Sequence, residues 1–224
     1  MNLRGKNVVL FGASSGLGKS LVKLLSVEEV NLILLSRGIG LTNFPDTVKI
    51  PCDIRKENEI VAAFKKIDSK FEKIDLLINC VGIGLVKDLR ETGGSEIDNV
   101  INTNLKGAII VAREAYKRMS QKSSGYIVII SSTSGRKVRA METVYCATKW
   151  GLRGFTGSLQ LAGEENGVKV TGVYPGGMKS KNFWSIVPGK DIKDYLEPAF
   201  VAEKIINLVK GRYKKELVIE RASS

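Results

Sequence analysis

The 224-residue chain has no histidine, only three cysteines and five prolines, and no apolar run approaching bilayer-spanning length. Each shortage removes a chemistry. Without histidine there is no Ser-His-Asp or Cys-His relay and no imidazole-ligated metal. A general acid or base must then be Tyr, Lys, Asp, Glu or Cys. Cys52, Cys80 and Cys146 lack metal-ligand spacing, and an odd number argues against a disulfide framework. No metal site is expected. The first apolar segment, Val8-Val9-Leu10-Phe11, is too short for a signal-peptide core and has no cleavage pattern behind it. A cytoplasmic location with no membrane partner is therefore expected.

Acidic residues are also scarce, 23 against 35 Lys and Arg, for a formal charge of +12. Such an excess can mark nucleic-acid or membrane binding. Here the basic residues are interleaved with acids and are densest only at Lys65-Lys66 and from Arg212 to Lys215. That distribution reads as a solvated basic surface, so no nucleic-acid partner is expected. The same positive field would draw in phosphorylated cofactors or acidic substrates.

What the chain does have is alternation. Continuous Val-, Ile- and Leu-rich runs at Asn7–Phe11, Asn31–Leu35, Val48–Ile50, Asp75–Asn79, Gly125–Ser131, Lys169–Val173 and Glu216–Ile219 predict strands buried on both faces. Helical patterns lie between them, near Gly18–Leu25, Glu57–Phe71, Ile97–Met119, Val144–Glu165 and Ala199–Val209. This order predicts an α/β fold with a parallel sheet covered by helices on both sides. No linker, repeat or composition shift divides residues 1–224, so a single domain is expected. The stretch between the second and third strands, Gly38 to Asp46, has no clear helical pattern, so a crossover helix is expected to be missing or reduced there.

Directly after the first strand stands Gly12-Ala13-Ser14-Ser15-Gly16-Leu17-Gly18, followed by a helix. Glycines in that context allow a tight turn and close backbone approach to a pyrophosphate at a helix N-terminus. Further along come Asn79-Cys80-Val81-Gly82 at a strand end, Asn102-Thr103-Asn104-Leu105-Lys106-Gly107 inside a helical stretch, and Ser131-Ser132-Thr133-Ser134-Gly135 after a buried strand. Tyr145-Cys146-Ala147-Thr148-Lys149 opens an apolar helix. Residues at i and i+4 share a helix face, so the Lys149 ammonium is expected beside the Tyr145 phenol. A positive neighbour would lower the phenol pKa from about 10 and suit it to exchange a proton with an alkoxide. Taken singly, each motif has a structural alternative: a turn, a strand end or a solvated helix face.

The G-x-x-x-G-x-G spacing and the motifs after it resemble the short-chain dehydrogenase/reductase family over nearly the whole chain. The resemblance implies a Rossmann-type doubly wound sheet of about seven parallel strands. It implies hydride transfer between a nicotinamide and a carbonyl or alcohol substrate, with Asn104, Ser132, Tyr145 and Lys149 as the catalytic set. Tyr145 would exchange the proton, Lys149 would lower its pKa and hold the nicotinamide ribose, Ser132 would bond the substrate oxygen, and Asn104 would anchor a water. The implied cofactor-binding residues are Gly12, Ser14, Ser15, Gly16, Leu17, Gly18, Ser36, Arg37, Asp53, Ile54, Asn79, Val81, Gly82, Tyr145, Lys149, Pro175, Gly176, Met178 and Ser180. Two departures from the family pattern are Cys80 and Val81 in the usual Asn-Asn-Ala-Gly segment.

Cofactor choice is read at the end of the second strand. Ser36 stands at the family's acidic position with Arg37 after it; arginine there accommodates a 2′-phosphate, so NADP(H) is expected. Residues from Asn182 to Asp194, with Phe183 and Trp184, sit where the family places a substrate lid. The C-terminal Glu216 to Arg221 segment departs from the acyl-carrier-protein reductases and favours small carbonyls or hydroxy acids. Homodimers or homotetramers are implied by the resemblance. The rival reading is a non-catalytic NADP-binding sensor or scaffold of the same fold.

Overall fold

A computed structural model describes residues 1–180, 187, 189 and 191–221. The lid expected within 182–194 falls largely outside these residues.

Seven strands form one sheet: β1 Asn7–Phe11, β2 Asn31–Ser36, β3 Thr47–Pro51, β4 Leu76–Asn79, β5 Gly125–Ile130, β6 Val168–Pro175 and β7 Glu216–Ile219. They lie in the order β3-β2-β1-β4-β5-β6-β7, every pair parallel. The helices are α1 Gly16–Leu25, α2 Glu57–Asp68, α3 Gly94–Ile101, α4 Gly107–Gln121, α5 Thr143–Glu165 and α6 Pro198–Lys210. This is the expected doubly wound, Rossmann-type sheet.

Strand side chains alternate between two cores, as a period of two requires. Val8, Leu10, Leu32, Leu34, Leu76 and Ile78 face α1 and α6, packing on Leu21, Val22, Val201 and Ile205. Val9, Phe11, Ile33, Leu35 and Leu77 face the other side, against Ile60 and Phe64 of α2, Val111 of α4 and Leu152 of α5. Both faces are apolar, which is why the strands read as unbroken hydrophobic runs rather than alternating ones. The order reverses between β1 and β4. At such a switch point a crevice opens beyond the C-terminal strand ends.

Two local features depart from a regular βα repeat. Between β2 and β3 the crossover is reduced to one 3₁₀ turn, Ile39–Leu41, as the missing helical pattern suggested. The helix expected over Ile97–Met119 is broken into α3 and α4 by a π-helical turn at Asn102–Lys106. Such turns are often found at functional sites. Asn104 sits in this turn, fully buried. Its Oδ1 accepts from the Ile83 N–H at 2.8 Å and its Nδ2 donates to the Ile83 carbonyl at 2.8 Å. The side chain thus satisfies the loop after β4, and the helix widens to bring it there.

Candidate active site

The switch-point crevice is a cleft of about 1130 Å³. Single small-ligand sites commonly occupy roughly 300–1,000 Å³, so there is room for a dinucleotide with a substrate beside it. One end of the cleft is the turn between β1 and α1. Gly12 has φ +84° and Gly16 φ +49°, conformations that L side chains rarely adopt. A Cβ at Gly18 would collide with the Gly12 carbonyl, so the first turn of α1 packs directly on the end of β1. No acidic residue stands in the first turn of α1. The exposed N–H groups and the positive helix end therefore suit an anion.

The middle of the cleft is built by the ends of β2, β3 and β4. Ser36 and Arg37 both line it, and the buried Ser36 Oγ has no hydrogen-bond partner. An orphaned hydroxyl beside an exposed arginine fits a phosphate acceptor. Asp53 and Ile54 also line this stretch. The Arg55 guanidinium, 2.5 Å from the Asp53 carboxylate, holds that carboxyl at about 2, so it is ionised and already paired. Arg55, Asn99 and Thr103 complete this part of the wall. No site role was expected for them, because Arg55 in the loop after β3, Asn99 on α3 and Thr103 in the π turn reach the cleft only through packing.

At the other end, β5 and α5 bring together Ser132, Tyr145 and Lys149. Tyr145 is 6% exposed and Lys149 3%. The Ser132 hydroxyl bonds the Tyr145 phenol, while Ser132 Oγ also accepts from the Ser134 N–H at 3.1 Å. The Ser131 hydroxyl instead donates to the Lys149 carbonyl at 3.3 Å. Of the two adjacent serines, Ser132 faces the tyrosine and Ser131 pins the helix.

The expected electrostatics need correction. The Lys149 ammonium lies over the Tyr145 ring, 5.6 Å from its centroid, and burial dominates the phenol. Burial pushes the Tyr145 pKa above its usual 10, the Ser132 hydrogen bond pulls it back, Glu142 raises it and Arg139 lowers it. Burial likewise pushes Lys149 from 10.5 down to about 8. Removing both groups from water disfavours their charged forms, and this outweighs a face-on cation.

Lys149 therefore carries a stability cost. Its pKa gap corresponds to about 3 kcal/mol at roughly 1.36 kcal/mol per pH unit. Between about 8 and 10.5 the lysine is protonated when unfolded and neutral when folded, so its contribution to stability grows as pH rises through that window. Lys149→Met should melt roughly 6–12 °C higher than the parent at pH 7, with the gain shrinking as pH rises from about 8 to 10.5. A calorimetric scan showing the variant less stable at pH 7 would sink this account.

Every expected site residue lines the cleft except Asn79 and Asn104. Asn79 is buried at the end of β4, where its Oδ1 accepts from the Val81 N–H at 3.1 Å and shapes the turn. Asn104 stands behind the wall and holds Ile83, with Thr148 Oγ1 at 3.4 Å. Pro175 at the end of β6, and Gly176, Met178 and Ser180 after it, also line the cleft. Arg139, Glu142, Tyr195 and Arg221 also line the cleft and belong to no motif noted in the sequence. Among the described residues no helix is long and apolar enough to cross a membrane.

Comparison with known proteins agrees with this geometry. Residues 6–191 match the family described as short chain dehydrogenase. Carbonyl reductase family member 4 of Xenopus laevis is 31% identical over 221 residues, covering 93% of this chain and 92% of that protein. The solved structure of ElxO with NADP bound superposes with a TM-score of 0.85 at 26% identity, covering 96% of this chain and 97% of that one. An alcohol dehydrogenase from the archaeon Thermococcus sibiricus, complexed with 5-hydroxy-NADP, reaches a TM-score of 0.86 over 99% of this chain and all of its own, at 23% identity. With the sheet order, the glycine turn and the Ser132–Tyr145–Lys149 cluster in place, the chain belongs to the short-chain dehydrogenase family of oxidoreductases.

Proposed function

We propose that this protein is an NADP(H)-dependent oxidoreductase that interconverts a carbonyl compound and its alcohol, with Tyr145 as proton donor and acceptor. The observation that carries the reading is the buried Tyr145, hydrogen-bonded by Ser132 and covered by Lys149 on the wall of a dinucleotide-sized cleft. When bound, the nicotinamide supplies or receives the hydride. The glycine turn and the N-terminus of α1 would take its pyrophosphate, and Ser36 and Arg37 its 2′-phosphate. NADP bound to ElxO supports that cofactor choice.

The chain's own residues do the proton work. With its pKa above 10, Tyr145 holds its proton at neutral pH and is set to donate to an oxygen that is gaining charge. Ser132 holds the phenol in place, and its single O–H would turn to the same oxygen once substrate is bound. Lys149, still mostly protonated at pH 7 with a pKa of about 8, stabilises negative charge as it develops. Asn104 acts at one remove, fixing the backbone of Ile83 at the cleft wall.

A screen of aldehydes and ketones should show NADPH consumption, with NADH much poorer. Tight NADPH binding without turnover of any of them would favour a sensor or scaffold instead. We also read the chain as forming a homodimer or homotetramer. Along α5, Trp150 is 42% and Leu161 64% exposed, and Gly154 and Gly157 lie on the same stripe with open space above them. A small-residue stripe of this kind lets two helices approach closely. Sedimentation should give two or four times the 24.5 kDa chain mass; a monomer at micromolar concentration would refute it.

A further inference from the structure

We infer that the carbonyl substrate carries a carboxylate, which Arg139 anchors beside Tyr145. The inference rests on the oxidoreductase reading above and adds a substrate class to it.

Arg139 precedes the 3₁₀ turn Ala140–Glu142 that leads into α5, six residues before Tyr145, and it lines the cleft. Its side chain is 45% exposed, and its Nε lies 3.8 Å from Glu142 Oε2. That separation is an ion pair, too long for a hydrogen bond. Among the described residues the guanidinium makes no hydrogen bond and no other ion pair. Its five N–H donors therefore make no hydrogen bond among the described residues, and its ion pair with Glu142 is a long one.

Glu142 orients this arginine without consuming its donors. Its Oε2 accepts the Ser134 hydroxyl at 2.7 Å, and its side chain is only 15% exposed. Ser134 is itself buried, and its N–H holds Ser132 Oγ. The chain of contacts from Ser132 through Ser134 and Glu142 thus fixes where Arg139 stands relative to the reacting oxygen. Arg139 lies close enough to Tyr145 to bear on the phenol's acidity, pulling its pKa down where Glu142 raises it.

The rest of the lining agrees with an anionic guest. Among the described residues its acids are Asp53 and Glu142; Asp53 is paired with Arg55, and Glu142 accepts from Ser134 and faces Arg139. Arg221, stacked over the Tyr195 ring at 4.6 Å, adds a further cation to the wall. A guanidinium fork matches a carboxylate with two parallel hydrogen bonds. A neutral ketone would leave those donors unused. An oxo acid would fill them and be held with its carbonyl towards Tyr145.

The test pairs short oxo acids with their methyl esters as substrates for NADPH oxidation. The parent protein should favour acid over ester by at least tenfold in kcat/KM at low salt, and the preference should shrink as ionic strength rises. Arg139→Gln should cut the acid-to-ester ratio at least tenfold, and Arg139→Lys, which keeps the charge, should lie between. Equal use of acid and ester by the parent, or an unchanged ratio in Arg139→Gln, overturns the proposal. If neither substrate turns over, the aldehyde and ketone screen decides the oxidoreductase reading separately. Thermal-shift titration with the oxo acid then reads the anion site alone. Saturable stabilisation lost in Arg139→Gln upholds it, and no stabilisation of the parent overturns it.

Discussion

Tyr145→Phe should lower kcat/KM for carbonyl reduction by about 10²–10⁴-fold. The substitution removes one oxygen from a side chain that is 6% exposed and leaves the ring, so packing against α5 and the face presented to Lys149 are kept. Only the proton source and the bond to Ser132 disappear. NADPH binding should change far less than turnover, because the glycine turn, Ser36 and Arg37 lie at other strand ends. The combination separates chemistry from binding: kcat falls and the cofactor dissociation constant stays within a few-fold. A variant with near-normal turnover would remove Tyr145 from the mechanism. Loss of cofactor binding and turnover together would mean that the hydroxyl and its bond to Ser132 support the cofactor site rather than the proton transfer alone.

Ser36→Asp should raise the dissociation constant for NADPH by at least about a hundredfold, roughly 2.7 kcal/mol. The Ser36 Oγ is buried and unpartnered beside Arg37 at the end of β2. A carboxylate there would face a 2′-phosphate directly, and like charges in close contact cost several kcal/mol. The same carboxylate can accept hydrogen bonds from the free ribose hydroxyls of NADH. NADH should therefore gain while NADPH loses, and the reversal is the informative readout. Titration of both cofactors against parent and variant measures it. Equal weakening of both would indicate a misfolded turn, and no change would place the 2′-phosphate elsewhere.

Much of this was legible in the residue order. Runs such as Val8-Val9-Leu10-Phe11 and Ile127-Val128-Ile129-Ile130 become strands buried on both faces because nothing polar interrupts them. The glycine turn was readable because only glycine meets its backbone demands, as the φ of +84° at Gly12 illustrates. The apolar pattern over 97–119 predicts one helix, where the structure has two joined by a π turn. Its apolar spacing carries across Asn102–Lys106, while the π turn follows from a tertiary bond between Asn104 and Ile83. The Tyr145–Lys149 spacing placed the two side chains on one face, but it could not show how completely water is excluded from them. Burial, not proximity, sets both their pKa values.

The chain alphabet by itself determined the sheet, the phosphate turn and the kind of acid available, since a chain without histidine must use another proton carrier. These are local matters of periodicity, backbone freedom and side-chain chemistry. Only the tertiary structure decided that Ser131 pins α5 through the Lys149 carbonyl, that Asn104 and Asn79 stand behind the cleft, and that Arg139, held by a long ion pair to Glu142, lines the cleft near the phenol. Those outcomes depend on how separate strand ends and helices pack at the switch point, and spacing along the chain does not encode that directly.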